Sequence, residues 1–184
     1  MDLPDPAKLR VVFYPDPILR SVCQPVEEFG PDLQAVTDRM LELMRESKGV
    51  GLAAPQVGLP YRFFVCNPTG KPGDDFVCVN PRFTELLGSV EAEEGCLSLP
   101  GVNVHRRRPT QAVMEAFDTA GGAFTQTVDD LLARIWQHEA DHLDGRLIID
   151  NMSTTDEIAN RRALKQLKEQ YDAQGSGRSG SARQ

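Results

Sequence analysis

Apolar positions recur at helical spacing in three parts of the chain and at strand spacing between the first two. Leu33, Val36, Met40, Leu43 and Met44 form one stripe, the period of an amphipathic helix with a single buried face. Gly30–Pro31–Asp32 opens that helix, because proline is pre-organised for a first turn. Lys48–Gly49 closes it, with a cation in the last turn and a glycine for the left-handed cap. Residues 61–117 then read as β-structure: 62–67 and 76–80 are short runs rich in aromatic and β-branched residues, separated by Pro/Gly/Asp turns. Residues 110–117 and 123–128 flank Asp118–Thr119–Ala120–Gly121–Gly122, a hairpin signal. Helical spacing returns after Asp129, a candidate N-cap, and places Leu131, Ile135, His138 and His142 on one face until Gly145 ends the run. Thr154 and Glu157 form a capping-box pattern for a last helix reaching about Asp172. On it Leu164, Leu167 and Tyr171 face one way and Arg161, Arg162, Lys165 and Lys168 the other. The first 30 residues are an irregular, proline-containing lead-in. Residues 173–184, rich in glycine and serine from Gly175 on, are expected to be a disordered tail.

Composition narrows the function classes. At 184 residues the chain fits one domain with a real core, and no apolar run approaches a membrane span. The opening Met1-Asp-Leu-Pro-Asp-Pro has neither the basic and apolar regions of a secretory signal nor the arginines of a transit peptide. A net charge of -7 argues against wholesale nucleic-acid binding. That charge is uneven, since residues 157–184 carry +3 and the remainder -10. Cys23, Cys66, Cys78 and Cys96 form no C-x-x-C pair, and a reduced, cytoplasmic setting follows.

Candidate chemistry concentrates at Gln137–His138–Glu139–Ala140–Asp141–His142. The chain has three histidines, and two of them stand here at i and i+4, one above the other on a helix face. Two imidazoles at that spacing can hold one metal ion while the intervening Glu139 handles protons. A catalytic metal usually has three protein ligands and an open position. The extended protease pattern would require a ligand at Ile148, which has none to offer, and Glu157 and Glu169 lie on a charged face that reads as solvated. Cys96 is the better candidate, although a lone cysteine is more often a small buried hydrophobe. Gly49-Val-Gly-Leu-Ala-Ala-Pro-Gln56 is either a tight packing loop or a stretch of small residues that lets backbone approach a ligand.

Three stretches stand in one order: Gly49-Val-Gly-Leu-Ala-Ala-Pro-Gln56, Glu94-Gly-Cys-Leu-Ser98 and Gln137-His-Glu-Ala-Asp-His142. Together with Tyr14–Pro15–Asp16–Pro17 they resemble the peptide deformylases, over the body of the chain and in the compact bacterial-type form. The sequence departs from the family after Pro100, where Gly101–Val102–Asn103 replaces larger or charged residues. With the periodicity, the resemblance implies an α+β fold: a single compact domain, 1–172, of antiparallel strands around a central metal-binding helix, with an N-terminal and a C-terminal helix. It implies a cytoplasmic hydrolase removing the N-formyl group from N-formylmethionyl nascent polypeptides. Cys96, His138 and His142 would hold one divalent metal ion, Fe2+ natively, with Zn2+, Ni2+ or Co2+ able to replace it. Glu139 would be the proton carrier, and Gln56 and the Leu97 N–H would stabilise the oxyanion. Backbone around Val50–Gly51 and at Gly95 would pair with the peptide, and Val50, Leu131 and Ile135, with the Arg134 stem at the edge, would form the methionine pocket. The ribosome is the partner implied for the basic C-terminal helix, and no membrane is implied. A metallopeptidase and a non-catalytic, metal-stabilised interaction module are the alternatives.

Overall fold

A computed structural model describes residues 1–178. Two 3-10 turns, Pro6–Lys8 and Pro17–Arg20, interrupt the lead-in, each started by an aspartate whose side chain accepts a backbone N–H. Helix α1 (Pro31–Glu46) follows and buries Leu33, Val36, Met40, Leu43 and Met44, the stripe read from the sequence. Its end differs from expectation. Lys48 itself takes the left-handed conformation (φ 57°), so the cap does not fall on Gly49. Gly49 instead leaves room for the Leu97 side chain, whose Cδ1 would lie 2.6 Å from a Cβ there.

Five antiparallel strands form the main sheet, in the order β1 (Gly51–Ala53), β2 (Phe63–Cys66), β3 (Phe76–Leu87), β6 (Gln111–Phe117), β7 (Ala123–Asp129). The β6–β7 hairpin falls where its turn residues place it. Strand β3 runs beyond Asn80, with register shifts; Asn80 adopts a φ of 51°. A separate ribbon pairs β4 (Val90–Gly95) with β5 (Asn103–Arg108), Gly95 opposite Asn103 and Glu93 opposite His105.

Helix α2 (Asp130–Leu143) lies between sheet and ribbon. Ala133, Trp136 and Leu143 pack among Phe64, Cys66, Cys78 and Met114 on the sheet side, with Trp136 edge-on to Phe76 at 6.0 Å. Burying an indole of that size is worth about 3–5 kcal/mol against alanine, so the helix has little freedom to shift. Asp129 occupies the N-cap position but makes no capping bond; its carboxylate accepts instead from Gln111 Nε2 at 2.8 Å, across the hairpin.

Helix α3 (Thr154–Arg178) begins one residue earlier than the expected capping box allows. Ser153, not Thr154, is the cap, accepting the Asp156 N–H at 3.1 Å and donating to its Oδ2 at 2.9 Å. The helix also continues six residues past Asp172, because Ala173 and Gln174 extend an existing helix without a new nucleation cost. The expected tail beyond it, 179–184, lies outside the described residues. Leu167 is buried against Leu19, Leu99, Val102 and Val104, with Leu164 at the edge, and Arg161, Arg162, Lys165 and Lys168 are exposed.

Candidate active site

Cys96 leaves the end of β4, and His138 and His142 project from one face of α2. Their ligand atoms lie within 4.8 Å of one another, Cys96 Sγ being 3.3 Å from His142 Nε2. Bonds of 2.0–2.3 Å in a tetrahedral shell would set donors about 3.3–3.8 Å apart, so a small contraction makes this a metal site. The donor set fits a first-row divalent ion: one soft thiolate and two imidazoles. Each imidazole is prepared differently. His142 is buried, and burial together with the neighbouring His138 and Arg108 charges pushes its pKa well below the usual value, leaving a neutral ligand. His138 is pulled down by burial, but hydrogen bonds with Cys96 and Glu94 and the Glu139 charge raise it to about 10.

Glu94 fixes the orientation of that ring. Its Oε2 lies 3.3 Å from His138 Nδ1, leaving Nε2 for the metal, the carboxylate–histidine arrangement that sets tautomer and angle. Arg108 Nε and Nη2 donate to Glu94 at 2.6 and 2.9 Å, and its Nη1 donates to Asp141 at 2.9 Å. Burial opposes the Glu94 charge, yet His138 and Arg108 hold its pKa down at about 2. The sequence reading missed Glu94 as a second-layer carboxylate and Arg108 altogether. Their one signal is a charged residue facing inward on each strand of the ribbon.

Glu139, one position on from His138, is buried and does not join the three donors. Burial raises its pKa to about 7, against the lowering effect of His138, Arg108 and the Ala53 backbone; its Oε2 has no hydrogen-bond partner among the described residues. Gly51 makes room for it, since a Cβ there would overlap the carboxylate, 2.7 Å from Cδ. Gln56 reaches back from a 3-10 turn so that its Oε1 accepts the Ala53 N–H at 2.8 Å. That bond turns Nε2 towards Ser98 Oγ (3.2 Å) and Cys96 Sγ (3.4 Å).

A cleft of about 400 Å³ opens onto this group. Val50, Gly51, Gly95, Leu97, Leu131, Arg134 and Ile135, all expected from the sequence, line it with Gln56, Cys96, His138 and Glu139. His142 lies behind them. Ile135 is buried, whereas Val50 and Leu131 are half exposed at the mouth. Arg134 Nη2 donates to the Glu93 carbonyl at 3.1 Å, which lays its stem along the rim. Cys23, Cys66 and Cys78 stand apart in the core, where burial pushes each thiol pKa up.

Residues 8–157 match the family described as polypeptide deformylase. The chain belongs to the polypeptide deformylase family. It is 40% identical over 172 residues to a peptide deformylase of Rhodopirellula baltica, covering 92% of this chain and 86% of that protein. The crystal structure of a plant peptide deformylase superposes with a TM-score of 0.89 at 38% identity, covering 94% of this chain and 96% of that one. A peptide deformylase structure from Legionella pneumophila gives 0.83 at 36% identity, covering 89% and 97%. The three motifs meet at the Cys96–His138–His142 cluster, and the cleft between β1 and the ribbon leads to it.

Proposed function

We propose that this deformylase cleft removes the formyl group from the N-terminal formylmethionine of newly synthesised polypeptides by the following division of labour. The convergence of the Cys96–His138–His142 cluster, the buried Glu139 and the aimed Gln56 amide carries the reading. Cys96, His138 and His142 would hold a divalent metal ion, which would supply the Lewis acidity that lowers the pKa of a water nucleophile towards neutrality. Glu139 accepts the proton of the attacking water and returns it to the departing amine, for which a pKa near neutrality is suited. Gln56 Nε2 and the Leu97 N–H donate to the oxyanion that forms on the formyl group. Gly51 and Gly95 offer backbone to an extended peptide, which tolerates many sequences; the Val50 carbonyl is already taken by the Asn67 N–H. Ile135, Leu131 and the stem of Arg134 receive the methionine side chain.

Turnover of a formyl-Met-Ala peptide, followed by release of the free amine with and without a chelator, tests this. Loss on chelation and recovery with Ni2+ or Co2+ is the expected result. Cleavage of an internal amide would instead identify a metallopeptidase, and tight metal binding without turnover an interaction module. We assign Fe2+ as the native metal in a cytoplasmic enzyme; the iron form should lose activity in air while the nickel form keeps it, because iron and the thiolate are both oxidisable. Equal decay of the two forms would count against iron.

Docking on the ribosome through α3 is the role assigned to Arg161, Arg162 and Lys165, exposed on its outer face. Charge reversal at these three should weaken co-sedimentation with ribosomes and flatten its salt dependence. Unchanged, salt-insensitive binding would refute the role. Among the described residues no helix is long and apolar enough to cross a membrane.

A further inference from the structure

The β4–β5 ribbon has two edges. The one along β4 faces the cleft; the one along β5 faces α3. Asn160, on α3 and 4% exposed, donates from Nδ2 to the Asn103 carbonyl at 2.7 Å and accepts the Asn103 N–H on Oδ1 at 3.1 Å. One turn earlier, Asp156 accepts the His105 N–H at 3.2 Å. Residues four apart on a helix are about 6 Å apart, close to the rise of about 6.8 Å between residues two apart on a strand. The two side chains therefore meet β5 in register, as a third strand would.

This bonding fixes what the opposite edge does. In an antiparallel ladder a residue turns both its N–H and its C=O to the same side, and successive pairs alternate. Asn103 and His105 turn theirs to α3, so their partners Gly95 and Glu93 turn theirs to the cleft. Arg134 takes the Glu93 carbonyl there at 3.1 Å. Across the cleft, Asn67 N–H takes the Val50 carbonyl at 2.9 Å, which by the same alternation leaves Gly51 directed away from β2. A two-stranded ribbon is marginal alone; this one is braced on the far side, and its free side borders the metal cluster.

We infer that Asn160 is a positioning residue for the deformylase reaction, holding β5 so that the Gly95 edge of β4 stays in register for the peptide. The inference rests on the peptide pairing proposed above. It makes no contact with substrate or metal necessary. Asn160→Asp discriminates, because aspartate has the same shape and still accepts the Asn103 N–H but places an oxygen against the Asn103 carbonyl. If Asn160 only fills space, the buried charge of aspartate costs stability but leaves KM at the wild-type value.

Asn80 provides a control. Its amide makes the same two bonds, to Val26 N–H (2.8 Å) and C=O (2.9 Å), on β3 rather than on the ribbon. In the metal-loaded enzyme, Asn160→Asp should raise KM for a formyl-Met-Ala-Ser peptide by about three- to tenfold, the scale of one net hydrogen bond. Its kcat should stay within twofold and its metal content unchanged, while Asn80→Asp lowers Tm but leaves KM alone. Amide exchange at Glu94 and Val104 should accelerate in Asn160→Asp only. A wild-type KM in folded Asn160→Asp, or an equal KM change in Asn80→Asp, would overturn the inference. Should Asn160→Asp not fold, Asn160→Ala, which removes both bonds without adding charge, carries the same comparison. If the wild-type enzyme did not deformylate at all, the functional reading would fall, and the exchange experiment would still decide whether the brace exists.

Discussion

Replacing Glu94 by glutamine removes a buried negative charge that three donors surround. In the folded chain this carboxyl is held at about 2, against an ordinary value of 4.5. That depression is worth on the order of 3 kcal/mol. Because the folded-state pKa is depressed, that stability is present above about pH 4.5 and is lost as pH falls towards 2. Metal-free enzyme should therefore lose about 3 kcal/mol of Glu94-dependent unfolding free energy between pH 5 and 2, and Glu94→Gln should lack this part of the slope. At pH 7 the variant leaves Arg108 with Asp141 as its anionic partner, at 2.9 Å. The loss there should be about 2–3 kcal/mol, below the ~3–5 kcal/mol of a wholly broken buried pair. Urea melts at half-unit pH steps give both numbers. The same variant deprives His138 Nδ1 of its carboxylate, so metal affinity should fall about 10–100-fold. A variant with the wild-type acid slope and wild-type metal retention would refute both the linkage and the orienting role.

Glu139→Gln should lower kcat by about 10²–10⁴-fold with metal content unchanged; retained turnover would remove Glu139 as proton carrier. Cys96→Ser should release metal on dialysis, because a neutral hydroxyl is a poorer donor than a thiolate, and equal retention would exclude Cys96 from the ligand set. Gly51→Ala should displace the Glu139 carboxylate and lower kcat by up to about 10²-fold at full metal occupancy; wild-type kcat would show that the carboxylate has room to move.

The parts of this molecule that were legible in its sequence are those whose chemistry is local. The α1 stripe, the β6–β7 turn and the i, i+4 histidines each declare themselves within one element. The ribbon does not. Strand β4 reads Val-Glu-Ala-Glu-Glu-Gly and β5 Asn-Val-His-Arg-Arg-Arg, charge-rich runs in which Glu94 and Arg108 take inward positions that an apolar alternation would fill, because their order comes from cross-chain bonds. Glu94 and Arg108 are 14 residues apart, and Asn160 is 57 from Asn103. No periodicity links such pairs. Capping departs from the pattern for a related reason: Asp129 holds the N-cap position but its carboxylate has a competing partner in Gln111, and Ser153 with Asp156 satisfies the start of α3 one residue before Thr154. Motif resemblance, by contrast, brought Cys96 to the histidines across 42 residues of sequence, the kind of long-range placement that pattern alone does not supply.

The distribution of the four cysteines has an analytical consequence. Cys23, Cys66 and Cys78 are sealed in the core with their thiols pushed up, while Cys96 lines the open cleft. Alkylation needs both access and thiolate, so in the native protein a reagent such as iodoacetamide meets one sulfur, and a metal ion on that sulfur shields it. Moles of label per mole of chain then count empty sites directly, and a preparation's active fraction can be titrated without substrate.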